Sequence, residues 1–494
     1  MSRPPWGWAA LSVLLCVGVC WGALDGIPHV TDEIVYTLQS RIFASGSRTA
    51  PAADVPSMLS YPFWVTGPDS HAAFPFGWPM LLAVGERVGL GWLVNPLLMG
   101  VAVVLTWAIG RRVAEEPAAR LAAVLVAVSP ALVLLGASRM SHTSVMVALL
   151  AAVWTVLAVR DTRRALLGGL AVAYCVLARP FDALVVGGPV LVWGLWSLPP
   201  KWRFRIAWVA PSAVAAAGVL LDNHLINGSW ATFPADAFYA TWLPERPGCN
   251  ALGFGPDIGC VPVNGELGHS FLGALGQAWD RAVLLDRLVL GMPGGLVAGM
   301  VAAVGLRRPI FVVPLGLVAV GHLLYWSPGM AYGPRFWMLG VPALCLGMAA
   351  AAHRFSAGRP WARLLPVGAV AMSMGGLAYV WPELSDRYWC VDGRLQEHLD
   401  TFGEDGGLVL LRAKGTRKAG WPRLGVPEFT CDPMLEAGDG LAGWDPTGGG
   451  WQVRHALPND QIRVYRDRFQ PGMPAWLVVH DVDFDERTVV ALPD

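Results

Sequence analysis

Long apolar runs alternate with short polar ones through the first three quarters of this chain. Runs close to the length of a membrane-crossing helix, about 20 apolar residues, fall near 8–24, 91–110, 118–137, 142–159, 165–178, 183–198, 205–222, 285–306, 309–326, 335–352 and 363–381. Eleven spans are predicted. Pro130, Pro189, Pro211 and Pro314 lie inside them, as membrane helices tolerate better than soluble ones. Beyond 381 the runs shorten to 407–412, 461–466, 475–480 and 488–492, separated by Gly, Pro and Asp and joined by one helical stretch at 392–402. That spacing predicts strands and a small mixed α/β unit. The expected fold class is therefore an α-helical polytopic membrane protein of about eleven transmembrane helices over 1–381, with a soluble α/β domain over 382–494.

Composition agrees with the pattern. The chain has 494 residues, 54% of them hydrophobic and only 15% charged, against about 25% charged in soluble proteins. Formal net charge is zero, so no basic field points to nucleic acid and no acidic excess to disorder. Charge matters by position. Arg3, Arg111/Arg112/Arg120, Arg160/Arg163/Arg164, Lys201/Arg203/Arg205, Arg307/Arg308 and Arg354/Arg359/Arg363 all fall on one side if the eleven spans are real. The positive-inside rule makes that side cytoplasmic. The N-terminus is then cytoplasmic, the tail exoplasmic, and the location an inner membrane. A signal peptide is the other reading of the first segment, but no small-x-small site is well placed, and an uncleaved span is expected.

Cysteines follow the same division. Cys16, Cys20, Cys175 and Cys345 lie in predicted spans, whereas Cys249, Cys260, Cys390 and Cys431 lie in segments assigned outside. Two local pairs, Cys249 with Cys260 and Cys390 with Cys431, read as disulfides of an oxidising compartment, although sequence does not fix connectivity.

The exoplasmic loops 25–76 and 223–284 and the tail carry nearly all the chain outside the membrane, and the chemistry is expected in the first. From His29 to Gly46 runs HVTDEIVYTLQSRIFASG. Thr31 or Asp32 can cap a helix, and Ile34, Leu38 and Ile42 give it one apolar stripe. The expectation is an amphipathic helix on the membrane surface, stopped at Gly46, with Asp32 and Glu33 at its start.

A TDE-x2-Y-x2-Q-x6-G pattern directly after a first span resembles the GT-C membrane glycosyltransferases that use polyprenyl-phosphate sugars. The protein O-mannosyltransferase and lipid A aminoarabinose transferase group, the family 39-like enzymes, is the nearest in kind. FPFGWPMLLA at 74–83, WLVNPLLMGVAVVLTWAIGRRV at 92–113, SRMSHTS at 138–144, ARPFD at 178–182 and YGPRFWMLGVPAL at 332–344 look like later motifs of such enzymes, in order, over about 25–345. The 223–284 loop and the tail carry no such likeness.

The resemblance implies transfer of a sugar from a polyprenyl-phosphate donor to an acceptor hydroxyl on a glycan, a lipid or a protein. A phosphate is already a good leaving group, so the step needs a base for the acceptor and positive charge for the departing anion. Asp32 is the implied base, with Glu33 as its support, or both as ligands to a divalent metal where a family member uses one; no cofactor is otherwise indicated. The plain alternative is two favourable charges at a helix N-terminus. Arg139, Arg179 and Arg335 stand at outer span ends against the charge trend and are candidates for the donor phosphate, since a guanidinium offers it a bidentate fork. Arg139 and Arg179 can instead snorkel to the interface, and Arg179 can pair with Asp182. His71, Glu86, His142 and Tyr332 are weaker candidates for the substrate cavity, a lone interfacial His being more often a tolerated polar group. No zinc spacing, P-loop or Ser/His/Asp set occurs, so nucleotide-sugar use is not indicated. A transporter would show paired halves with matching broken helices and polar residues at midplane rather than in large outer loops, and a receptor or assembly protein with an exported binding domain would leave the acidic pair without a task.

The topology has a direct check. Single cysteines placed in 225–280, on a cysteine-free background, should react with a membrane-impermeant thiol reagent in intact cells, while sites near Arg163 or Arg307 stay unlabelled. Labelling near Arg307 from outside would overturn the orientation.

Overall fold

In the computed structural model of the chain the described residues are 3–51, 61–67, 69–159, 161–263, 265–356, 358–391, 407–414, 417–431, 451–455, 474–481 and 486–492. The first eight helices are α1 (Trp6–Gly22), α2 (Thr31–Ala44), α3 (Gly77–Glu86), α4 (Val94–Val113), α5 (Glu116–Val128), α6 (Pro130–Ala137), α7 (His142–Ala158) and α8 (Thr162–Ala178). Each of the eleven expected apolar segments contains helix. The chain is a helical membrane protein. Among the described residues, five helices are long and apolar enough to cross a membrane: Gly91–Val113, Pro180–Ser197, Trp202–Asn227, Arg335–Ser356 and Pro360–Leu384. A sixth span results if α5 and α6 cross together through their 52° bend.

Helix breakers divide some of the apolar runs, whereas α1, α7 and α8 run undivided for 17 residues each. Pro130 lacks the N–H that would continue α5, which bends the run there. The run 285–306 is split between Phe271–Leu288 and Gly295–Gly305, with Gly291 and Gly294 at φ +77° and +97°, a conformation that costs glycine nothing. Where helices do pack, small residues let them approach. A Cβ on Gly169 of α8 would lie 2.5 Å from the carbonyl oxygen of Trp208, so α8 and Trp202–Asn227 meet backbone to backbone at that point.

The first loop folds around α2. Its short strands β1 (Ala50–Pro51), β2 (Trp64–Val65) and β3 (Asp69–Ala72) form an antiparallel sheet in the order β1-β3-β2. Gln39 fixes this loop to the helix: its amide donates to the Arg48 carbonyl at 2.9 Å and accepts from the Ala72 N–H at 2.9 Å. Neither Thr31 nor Asp32 caps α2; Val30 holds the N-cap position and Glu33 reaches back to its N–H.

The tail contributes β4 (Gly407–Lys414), β5 (Arg417–Trp421), β6 (Val426–Cys431), β7 (Trp451–His455), β8 (Ala475–Asp481) and β9 (Glu486–Leu492). The larger sheet has the order β7-β4-β8-β9, with β4 parallel to both neighbours and β9 antiparallel to β8. The expected strands at 407–412, 475–480 and 488–492 are thus β4, β8 and β9. Those expected at 461–466, and the helix at 392–402, lie outside the described residues. Cys390 and Cys431 are disulfide-bonded, with Cα atoms 5.9 Å apart, as are Cys249 and Cys260 at 4.8 Å.

The expected surface helix is a buried one. Most of α2 is hidden, and its stripe of Ile34, Leu38 and Ile42 packs in one cluster with Val391, Val409 of β4 and Val478 of β8. Apolar area that would have entered the membrane interface is covered by the tail sheet. Leu38→Ala should therefore cost about 2–5 kcal/mol, read as a lower Tm in detergent micelles. An unchanged Tm would show that this packing does not hold the tail to the helix.

Candidate functional site

Four segments converge at the start of α2. They are residues 29–33, the turn 138–142 between α6 and α7, the turn 179–182 after α8, and the stretch 329–340. Asn95 of α4 shapes the second by donating to the carbonyls of Ser138 and Met140 at 2.7 and 2.8 Å. In the stretch 329–340, Tyr332 adopts φ +58°. That is a costly conformation for a side chain with a Cβ, and the Tyr388 hydroxyl supports it by accepting from the Tyr332 N–H at 2.8 Å.

Glu33 is 1% exposed and has its oxygens occupied. Oε2 accepts from the N–H groups of His29 at 3.2 Å and Val30 at 3.0 Å and from the Tyr332 hydroxyl at 2.7 Å; Oε1 accepts from the N–H of Arg139. Burial, and then the Glu33 charge, push the Tyr332 hydroxyl well above its ordinary range, so it remains a donor. Asp32, 8% exposed, is bound differently: Oδ2 lies 3.1 Å from Nη2 of Arg335. The adjacent carboxylates thus divide into one that is spent on structure and one that faces a guanidinium.

Around Asp32 the arrangement is cationic and aromatic. Arg335, Arg179 and Arg281 place their guanidinium carbons 5.4, 5.5 and 5.9 Å from the centre of the Phe336 ring, within cation–π range. Arg179 pairs with the fully buried Asp182 and donates to Ser141 Oγ at 3.3 Å. His322 stacks on Phe336 at 4.7 Å, and its Nε2 lies 3.4 Å from Asp182. Arg281 spends its charge on the carbonyls of Ser327 and Pro328, at 2.8 Å each, which pins the segment carrying Tyr332 and Arg335. The Nε of Arg335 has no hydrogen-bond partner among the described residues.

Other candidates fall at varying distance from this centre. Arg139 lies in it through its backbone N–H, but its side chain turns to Thr37 at 3.2 Å, the Gly26 carbonyl at 3.1 Å and Glu86 at 3.5 Å. Glu86 is held by Arg139 and by Arg41 at 3.3 Å. His142 is buried beside Phe336, ring centres 5.7 Å apart, and neither of its nitrogens has a hydrogen-bond partner among the described residues. His71 sits in β3 against the Asp69 carbonyl at 2.9 Å, and burial lowers its pKa. Its charged neighbours are Asp69, Asp222 and Arg48, so it is apart from Asp32.

Sequence reasoning did not single out Phe336, His322, Ser141 or Arg281. Phe336 and Ser141 lie within the runs at 332–344 and 138–144, whereas Arg281 had a visible signal as a charge one helical turn after Gln277, whose Oε1 accepts from its Nη2 at 3.2 Å. A divalent metal does not fit at Asp32 and Glu33: the Glu33 oxygens are taken by four donors, Asp32 faces Arg335, and the described residues contain no group of three or more His, Cys, Asp and Glu able to hold an ion.

The chain that carries this site, a buried acidic pair at the first loop helix with Arg335 and Arg179 of later turns beside it, shares its fold with a membrane protein of solved structure. It is similar to ArnT from Cupriavidus metallidurans bound to undecaprenyl phosphate over 99% of this chain and 98% of that one, at a TM-score of 0.56 and 14% identity. Looser likenesses include arabinofuranosyltransferase AftD from Mycobacteria, covering 97% of this chain and 36% of that one at TM-score 0.44 and 17% identity. The oligosaccharyltransferase of Archaeoglobus fulgidus in its apo form gives 77% and 55% at 0.40 and 13%. No protein-family model and no curated protein matches the sequence.

The two roles of a buried carboxylate and its donors can be separated by stability. Tyr332→Phe removes one donor from Glu33 and should cost about 1–3 kcal/mol. Glu33→Gln should lower the Tm further, because whichever way the amide turns, its NH2 meets an N–H donor. Equal Tm values for the two variants would show that Glu33 does not carry the junction.

Proposed function

We propose that this protein is a membrane glycosyltransferase that moves a sugar from a polyprenyl-phosphate-linked donor to an acceptor hydroxyl at the exoplasmic face of an inner membrane. The observation that carries the reading is the Asp32–Arg335 pair, 3.1 Å apart, with Arg179 on the same aromatic ring. It stands in a fold shared end to end with ArnT bound to undecaprenyl phosphate.

The chemistry divides between the two ends of the bond. Asp32 uses one oxygen for Arg335 and has the other to receive the acceptor proton as the acceptor oxygen attacks the anomeric carbon. The bond from that carbon to the phosphate oxygen breaks, and the lipid phosphate leaves with its negative charge. Arg335 and Arg179 meet that charge, fixed in place by Phe336, Met140, Ser141 and Asp182, so little reorganisation is needed at the moment of reaction. Glu33 does not act as the base in this reading, its oxygens being occupied, and Arg139 and Glu86 act as supports.

The orientation belongs to the same proposal. The basic segments mark the cytoplasmic ends, and the Cys249–Cys260 disulfide packs in one cluster with Ala73 of the first loop and with Trp326, at the opposite end from those arginines. The N-terminus is then cytoplasmic, and residues 382–494 form an exoplasmic unit seated on the transferase region 1–381. The acceptor is a glycan, a lipid or a protein.

Transfer measured on purified protein in liposomes, with a polyprenyl-phosphate sugar, tests the assignment. Asp32→Asn should lower the rate by about 10²–10⁴ and still bind donor. Arg335→Lys keeps the charge but loses the fork, and should need more donor for half-maximal rate. Wild-type transfer by Asp32→Asn would remove Asp32 as the base.

A further inference from the structure

A second polar cavity lies at the other end of the helices that carry the site. α4 starts at Val94, next to the Asn95 that braces the turn beside Arg139, and runs for 20 residues to Val113, about 30 Å at 1.5 Å per residue. Helix Val341–Ser356 likewise begins just after Arg335 and ends beyond Arg354. At these far ends a cleft of about 670 Å³ opens, with Ala118, Leu306, Phe311 and Ala350 as apolar lining and Arg112, Arg308, His353, Arg354 and Glu115 as its charged groups.

The charge there is unbalanced. Glu115 faces His353 at 3.0 Å, while Arg308 donates to the Val113 carbonyl rather than to a carboxylate. Arg111 and Arg120 both turn to Glu116, at 2.9 and 3.0 Å, but Arg112 and Arg354 are exposed and have no carboxylate partner among the described residues. Three guanidinium groups thus line a cleft with an apolar floor at the ends of two helices long and apolar enough to cross a membrane, Gly91–Val113 and Arg335–Ser356. Fork-shaped donors match phosphate oxygens, and each basic side chain close to an anionic bilayer surface adds about 1 kcal/mol of attraction.

We propose that this cleft binds an anionic phospholipid, its phosphate held by Arg112, Arg308 and Arg354 and its glycerol and upper acyl carbons against Phe311, Ala350 and Leu306. The site is separate from the candidate transferase centre and does not depend on it. A free phosphate would use the guanidinium groups but not the floor, and this distinguishes the two sources of the same chemistry.

Native mass spectrometry of the full-length protein, released from detergent and titrated with dioleoyl-phosphatidylglycerol or dioleoyl-phosphatidylcholine, reads this directly. The wild type should retain the anionic lipid in preference to the zwitterionic one. Arg112→Gln combined with Arg354→Gln alters only exposed side chains and should weaken that retention by about 30-fold, roughly fivefold per basic side chain removed. Arg163→Gln, in another basic segment, should retain the lipid as the wild type does, and millimolar inorganic phosphate should not displace it. Undiminished retention in the double variant, an equal loss in Arg163→Gln, or displacement by phosphate would each overturn the proposal.

Discussion

A buried carboxylate with four donors around it ties the start of α2 to the segments that meet there. An ionised Glu33 removed from water would be prohibitively costly without hydrogen bonds, so the segments that supply them are obliged to meet. His29 and Val30 come from the helix entry, Arg139 from the α6–α7 turn, and Tyr332 from the stretch before a late span. The arrangement closes on itself. Tyr332 is held by the Tyr388 hydroxyl at 2.8 Å, and the Tyr388 carbonyl is met by Nδ1 of His29 at 2.9 Å, so the loop returns to the residue where it began. Tyr388 in turn lies two residues before the Cys390–Cys431 bridge and packs its ring 5.1 Å from Trp421, which brings the tail into the same network.

Asp32 owes its different character to this frame. One peptide unit from Glu33 and at the same helix end, it receives no share of those donors and is left facing Arg335. Neighbouring carboxylates with unlike surroundings are a familiar way for one site to separate support from chemistry. Phe336 performs the matching task for the cations: three guanidinium groups gather at its ring against two carboxylates, Asp32 and Asp182, which leaves a surplus of positive charge there.

Much of this was legible in the sequence, because periodicity and spacing report local structure well. Each of the eleven apolar runs contains helix, and the TDE-x2-Y-x2-Q pattern marked α2, whose Gln39 proves to fasten the loop at Arg48 and Ala72. Asp32, Arg335 and Arg179 were named together from motifs far apart in the chain, and they stand together. What remained hidden depends on contacts between distant segments. Ile34, Leu38 and Ile42 form an apolar stripe whether it faces lipid or protein, and only the position of Val409 and Val478 decides between them. The helix cap also moved, since Glu33 at the third position satisfies the entry that Thr31 or Asp32 could have capped. His71 was grouped with the site by its nearness in sequence to FPFGWP, yet β3 carries it toward Arg48 and Asp222 instead.

The covering of α2 by β4 and β8 has a consequence for biosynthesis. Ile34 and Leu38 leave the ribosome early, whereas Val409 and Val478, which shield them, are made last. At ordinary rates of synthesis that interval is on the order of half a minute, during which the apolar stripe of α2 exists without its cover. An apolar stripe left uncovered needs a temporary neighbour, so closure of the sheet exchanges a transient shelter for a permanent one.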